Sequence, residues 1–408
     1  MKAIVNGKVI SQGRILTDHA LVFDQQIRAI CPLPELNSWS ASELIDAQGL
    51  FVAPGFIDIH IHGCGGYDTM DATTGALRAM GQCLAEHGVT AFLPTTMSAP
   101  WEKIRQVVGV VRRIAGENGL TLLQKTGEDT QVATRVLGVH LEGPFLNSEF
   151  KGAQAAEHLT LPDFALLTDY LDIIRIITLA PELPGTDALL DQLAAYPQIV
   201  PAIGHSGASF EATQWAIEGG VRHATHLFNA MSRLHHRQPG VVGAVLASGI
   251  CAELIADNLH VHPGLYDLLL KTQGLERLIL VSDAMRAAGL SDGEYELGGQ
   301  TVRVQSGAAR LADGTLAGSV LTLDKAVANF RQATGCGLAE AIGLVTRNPA
   351  KLLGLGHRIG DLRVGMEADI VVLDEGCNIV EVFVRGLGGT LLRCPAHKKV
   401  TAGRLHLA

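Results

Sequence analysis

Eight β-rich apolar runs alternate with helix-like segments between residues 51 and 283, and this alternation constrains the fold more than any other feature of the chain. The runs are 51–62, 89–96, 135–142, 173–179, 199–206, 222–228, 251–257 and 278–283. Between them, Ala76, Met80, Cys83, Leu84 and His87 recur at three- and four-residue spacing, and so do Phe210, Thr213, Ala216 and Ile217, which is the period of an amphipathic helix. Eight strand-helix units over roughly 300 residues suit an α/β fold of the (β/α)8 TIM-like barrel type, with a doubly wound sheet as the rival. Residues 295–316, with Asp-Gly turns between short β-like stretches, predict a hairpin inserted after the eighth strand.

The two ends of the chain read differently. Residues 1–52 carry short apolar runs at 3–5, 9–10, 20–23 and 27–30, punctuated by Asn-Gly, Asp and Pro, a pattern of short antiparallel strands. The tail repeats it at 368–373, 379–384 and 400–405. Each end alone is too small to bury both faces of a sheet. Residues 1–52 and 357–408 are therefore expected to form one small β-sandwich domain beside a barrel at 53–356.

Composition narrows the partners. With 47% hydrophobic and 18% charged residues the 408-residue chain must fold, and a net charge of −9 offers no global field for nucleic acid or an acidic membrane. No run supplies the ~20 apolar residues of a membrane span. The start MKAIVNGKVI lacks a signal-peptide core. Seven scattered cysteines (Cys31, Cys64, Cys83, Cys251, Cys336, Cys377, Cys394) without a C-x-x-C pair read as reduced thiols of a cytoplasmic protein. Cys64 is assigned to packing.

Polar residues able to bind metal sit where the barrel strands end, and barrel active sites are built at that face. The first run ends GFIDIHIHGCGG; His60 and His62 are two apart and share a strand face, so they are either a pair of metal ligands or two core histidines. Gly63, Gly65 and Gly66 suit a tight loop beside them. Glu142, in GVHLEGPF, reads as a metal ligand, a general base or a solvated strand end, and His140 as its supporting neighbour or a core residue. His205 lies in AIGHS and His226 in VRHATHLFNAM. His223, three residues before His226, is expected on the opposite face. The eighth run ends LVSDAM, which places Asp283 at the same rim. A lone buried histidine is ordinarily a satisfied core residue, but four strand-end histidines and a glutamate at one barrel mouth resist that explanation. Imidazole and carboxylate donors without cysteine describe a catalytic site for Zn2+ or Fe2+. Asp283 is then suited to carry a proton from an attacking water to a leaving group.

The motifs PGFIDIHIHG, GVHLEGPFLN, IGHS, THLFNAM, ADNLHVHP and SDAM, in this order, resemble the N-acetylglucosamine-6-phosphate deacetylase family of the amidohydrolase superfamily, over nearly the whole chain. The resemblance implies Glu142, His205 and His226 as ligands of a principal divalent metal and Asp283 as the catalytic acid/base. It implies one or two metals per subunit: members with Gln-x-Asn at the first-strand positions use one, whereas His60 and His62 resemble members that bind a second with Glu142 and Asp283. Ala153 and Gln154 in KGAQ would face the acetyl group, as would Leu316, Ala317 and Gly318. Asn229, Ala230, Arg237 and His260 would bind the sugar phosphate, with Arg237 supplied across a homodimer interface; His235 and His236 are read as surface loop. The implied reaction is hydrolysis of N-acetyl-D-glucosamine 6-phosphate to D-glucosamine 6-phosphate and acetate. The galactosamine epimer is the alternative substrate, and a barrel kept only as a binding scaffold is the rival from another class.

Overall fold

The computed structural model describes residues 1–116, 134–389 and 400–401. Its centre is a barrel of eight parallel strands: β1 (Phe56–Ile61), β2 (Val89–Pro94), β3 (Val139–Glu142), β4 (Ile174–Leu179), β5 (Val200–Ile203), β6 (His223–Ala224), β7 (Cys251–Ile255) and β8 (Leu278–Val281). The hydrogen-bonded ladder runs as two arcs, β1 with β2 and β3 through β8. Parallel bridges Thr95 to His140 and Ile61 to Ala284 join them. At these seams the Thr96 N–H donates to His140 O at 3.0 Å, and the Asp283 N–H donates to His60 O at 2.9 Å. The closed ring excludes the doubly wound alternative, which has two free sheet edges. It also ties the backbone of Asp283 to that of His60, and the backbone of His140 to that of Thr96.

Two glycines divide runs that read as continuous in the sequence. Gly55 separates β1 from Phe51–Pro54, which belongs to the other sheet; a Cβ here would lie 2.2 Å from Thr90 Oγ1. Gly138, at φ +146°, separates β3 from Arg135–Val136, and a Cβ there would lie 2.5 Å from the Ile173 carbonyl oxygen. Neither close approach admits a side chain.

The helical periodicity between the runs is real. Thr74–Glu86 is an α-helix capped by Thr73 and buries Ala76, Leu77, Met80 and Leu84; Phe210–Glu218 is another, capped by Ser209. The β3–β4 connection departs from the alternation: it holds only 3-10 turns, from Ser148–Phe150 to Thr168–Tyr170. Gly152, Ala153 and Gln154 of this stretch line the barrel mouth, whereas Leu167, Tyr170 and Leu171 pack into the barrel core. The expected hairpin is a three-stranded antiparallel sheet, Gly293–Leu297, Gln300–Gln305 and Ala308–Arg310. It packs Leu297, Val302, Val304 and Ala309 on Met97, Met285 and Ala317, so the insertion has its own apolar core at the rim.

Nine strands from both ends form one sheet, in which Ile370–Leu373 pairs with Phe51–Pro54 and Val400–Thr401 with Glu43–Asp46. Residues 402–405 of the expected 400–405 run, and Cys394, lie outside the described residues. The sheet forks at its first strand (Lys2–Ser11), whose beginning pairs with Glu43–Asp46 and whose end pairs with Phe51–Pro54. The fork lets the sheet fold onto itself. Phe23 and Phe383 come from separated strands, yet their rings meet edge-on at 5.3 Å over Ile4, Val9, Leu21, Val52 and Ile370. Arg135 of the barrel reaches across to ion pairs with Glu367 and Asp369. Among the described residues no helix is long and apolar enough to cross a membrane, and Cys31, Cys64, Cys83, Cys251, Cys336 and Cys377 are free.

Candidate active site

The C-terminal ends of β1, β3, β5, β6 and β8 converge on one cavity of ≈ 370 Å³. Three residues at these ends take left-handed backbone: His205 at φ 49°, His226 at φ 30° and Asp283 at φ 46°. Such backbone costs about 1–3 kcal/mol at a non-glycine residue and collects where function over-determines it. Here each left-handed residue turns a strand end and delivers its side chain to the barrel axis.

The side chains form two groups that share Glu142. In the first, Glu142 Oε1 lies 3.2 Å from His205 Nε2 and 3.1 Å from His226 Nε2, and the two Nε2 atoms are 3.1 Å apart. In the second, Asp283 Oδ1 lies 3.4 Å from His60 Nε2 and 3.2 Å from His62 Nε2. Glu142 reaches this group as well, at 3.6 Å from His60 and 3.3 Å from His62. Each group offers ligand atoms close enough together to hold one ion.

The donor chemistry fits a divalent cation. Burial alone would raise the Glu142 carboxyl, but the His60 charge and hydrogen bonds from His205 and His226 hold it well below its ordinary range. Asp283 follows the same balance: burial raises it, and the charge of His60 and the hydrogen bond to His62 outweigh burial and lower it. Burial would lower His62, yet its bonds to Asp283 and Glu142 lift it to about 9. A buried carboxylate pair thus demands positive charge from its surroundings. Facing Nε2 atoms and a buried His60 Nε2 without a hydrogen-bond partner show where a cation would supply it. Imidazole with carboxylate oxygen is a donor set for Zn2+ or Fe2+.

The cavity walls carry the residues expected to face a substrate. Ala153, Gln154, Asn229, Ala230, His260, Leu316 and Gly318 all line it. The Ser98 N–H donates to Gln154 Oε1 at 2.7 Å, which orients the amide so that Nε2 donates to Glu142 Oε2 at 2.9 Å. Burial would lower His260, but the hydrogen bond from its Nδ1 to Asp257 Oδ2 at 2.6 Å raises it. It is thereby held toward the cationic form that an anion requires.

Two expectations change, those for Ala317 and His223. Ala317 does not line the cavity; it is fully buried under the inserted sheet, because alternation at Leu316-Ala317-Gly318 turns the middle side chain inward. Arg237 is exposed and its guanidinium donates to His236 Nε2 at 2.7 Å, outside the cavity of its own chain. His223 is not on an outer face: it is fully buried and donates from Nε2 to Glu253 Oε1 at 2.8 Å. β6 is only two residues long, so period-two alternation does not extend from His223 to His226. His140 supports the site from below, bonded to Thr178 Oγ1 at 2.7 Å and Ile59 O at 3.1 Å; burial keeps it neutral, at about 3. Cys64 is buried with its thiol toward Met80 O, a packing position.

Glu253, Arg310 and Thr315 were not found by sequence reasoning. The latter two line the cavity from the inserted sheet and its exit. Glu253 carried a readable signal, an acid flanked by Ala252 and Leu254 inside an apolar strand, which a buried strand tolerates only with partners.

Comparison with known proteins gives the family and the fold. Residues 51–388 match the Amidohydrolase family. The chain is 41% identical over 336 residues to N-acetylglucosamine-6-phosphate deacetylase of Lysinibacillus sphaericus, covering 81% of this chain and 83% of that one. Its fold is similar to the crystal structure of N-acetylglucosamine-6-phosphate deacetylase from Pasteurella multocida, with a TM-score of 0.88 and 33% identity over 95% of this chain and 99% of the other. It is also similar to a mutant of the Mycobacterium smegmatis enzyme in complex with N-acetyl-D-glucosamine-6-phosphate, with a TM-score of 0.84, 30% identity, and coverage of 95% and 100%.

Proposed function

The chain belongs to the amidohydrolase family, and from that premise we propose that it hydrolyses the acetamide of N-acetyl-D-glucosamine 6-phosphate, giving D-glucosamine 6-phosphate and acetate. The observation that carries this reading is the meeting of Glu142, His205, His226 and Asp283 at the floor of a cavity walled by Gln154, Asn229 and His260. Glu142, His205 and His226 would hold a principal divalent cation, Zn2+ or Fe2+, and His60, His62 and Asp283 with Glu142 would hold a second. Bound there, the cation supplies the positive charge that acidifies a water and polarises the acetyl carbonyl.

The remaining work falls to side chains. Asp283, kept ionised, accepts a proton from the attacking water and delivers it to the amide nitrogen as the C–N bond breaks. Without that proton the amine is a poor leaving group. The Gln154 amide, fixed by Ser98 and Glu142, contributes a neutral donor beside the developing oxyanion. His260, its imidazole oriented and raised in pKa by Asp257, and Asn229 hold the phosphate end. Arg237 joins them from the partner subunit of a homodimer, consistent with its place outside its own cavity. Free thiols support a reducing, cytoplasmic setting.

The test is acetate release by purified, metal-loaded protein from the 6-phosphates of N-acetylglucosamine and N-acetylgalactosamine. The reading expects turnover of the gluco substrate with the higher kcat/KM. Activity on the galacto epimer alone would reassign the substrate, and none on either would overturn the function.

A further inference from the structure

We infer that Glu253 is a positioning residue of the metal centre: one buried carboxylate that selects which nitrogen of His60 faces the site and anchors the backbone of His226. The inference rests on the reading of these two histidines as cation ligands. Glu253 sits in the middle of β7, is fully buried and does not line the cavity, so it cannot touch substrate. A carboxylate sealed between apolar neighbours is tolerated only when its oxygens are fully paired. They are: Oε2 accepts from His60 Nδ1 at 2.8 Å and from the His226 N–H at 2.9 Å, and Oε1 accepts from His223 Nε2 at 2.8 Å.

An ionised carboxylate can only accept. A neutral His60, the form in which an imidazole ligates a metal, must therefore keep its proton on Nδ1, which leaves Nε2 as the bare lone-pair atom. Nε2 is the nitrogen that points at Asp283 and Glu142 and lacks a hydrogen-bond partner. The other tautomer would present an N–H to the cation position and cannot ligate. At His226 the same oxygen satisfies the peptide N–H of a residue in left-handed backbone, holding the turn that aims its ring. Glu253 thus ties together β1, β6 and β7, and through them a ligand from each of the two donor groups. Partners that orient a ligating histidine typically change metal affinity 10–100-fold when removed.

The experiment is titration of Zn2+ into chelator-stripped wild type, Glu253→Leu and Glu253→Gln, read as stoichiometry and dissociation constant, with circular dichroism as the folding control. The Leu variant is expected to bind Zn2+ about 10–100-fold more weakly. The Gln variant should recover most of the affinity, because its amide oxygen can still accept from His60 and His226 while its NH2 group faces His223, whose Nδ1 is free to take the proton. A folded Leu variant with wild-type Zn2+ affinity overturns the inference. A wild type that binds no Zn2+ overturns the metal reading beneath it. Should the Leu variant fail to fold, 15N spectra of histidine-labelled, Zn2+-loaded wild type decide: the inference requires a protonated His60 Nδ1 and a bare Nε2, and the reverse pattern defeats it.

Discussion

His205 and His226 bring their Nε2 atoms to within 3.1 Å of each other, both beside Glu142 Oε1. Two imidazole nitrogens at that separation share one positive charge far better than they share a void. His205→Ala or His226→Ala should therefore empty the principal cation position and remove nearly all activity, since two remaining protein ligands compete poorly with water. Elemental analysis of the purified variants checks this. Unchanged metal content in both would defeat the assignment.

The His60 and His62 pair bears on metal count. Replacing both by Ala is expected to lower the cation content from two per chain to one while the protein stays folded. Wild-type protein with one cation per chain, unmoved in the double variant along with full activity, would reduce the centre to a single metal.

Arg237 lies outside its own cavity, and the proposed homodimer would bring it to the site of the partner subunit. Arg237→Ala should cut kcat/KM for the phosphorylated substrate by roughly one to two orders of magnitude, the worth of a charged contact of ~1.5–3 kcal/mol, and leave unphosphorylated N-acetylglucosamine unaffected. Mixed dimers of Arg237→Ala and Asp283→Asn chains separate the two geometries. In trans, the site with an intact Asp283 receives an intact Arg237 from its neighbour and activity returns; in cis, no site is complete and none returns.

Much of this architecture was legible in the sequence because it follows from periodicity. Apolar runs at strand spacing gave the barrel strands, and strand-end placement brought Glu142, His205, His226 and Asp283 to one mouth. Residues governed by the barrel interior were harder to read. His223 was misplaced because alternation presumes a strand long enough to alternate, and β6 is too short. Glu253 was missed because a buried acid is informative only once its three donors, drawn from two other strands and a turn, are known to meet it. Arg310 reaches the cavity through an insertion whose sequence shows turns without showing where its sheet leans.

His87 and Asp324 form a half-buried pair, Nδ1 to Oδ1 at 3.3 Å, between the end of the Thr74–Glu86 helix and the start of Leu323–Thr334. Burial would lower His87, but Asp324 raises it above 6.5; burial would raise Asp324, but His87 lowers it below 3.8. The raised histidine stabilises the fold fully below 6.5 and loses that contribution as pH climbs through its folded value. The lowered aspartate stabilises above 3.8 and loses its contribution as pH falls through its own. His87→Gln should therefore lower the melting temperature most between about pH 4 and 6.5, and the gap to wild type should narrow as pH climbs above that window. A gap independent of pH would make the role of His87 one of packing.

Asp283 carries the heaviest chemical demand. Amide hydrolysis needs two proton movements, one from the attacking water and one to the departing amine, and activation of the water addresses only the first. Asp283 sits at the end of β8 with its backbone tied to His60, its carboxylate 3.2 Å from His62 Nε2, and the cavity open before it. Asp283→Asn preserves size and one oxygen ligand while deleting proton transfer. The variant is expected to bind substrate and keep most of its metal, with kcat reduced by ~10²–10⁴-fold. A loss confined to KM would make Asp283 a binding residue. A variant that keeps its metal and a near-normal kcat would end its candidacy as the acid and base, because a second residue would then have to move both protons.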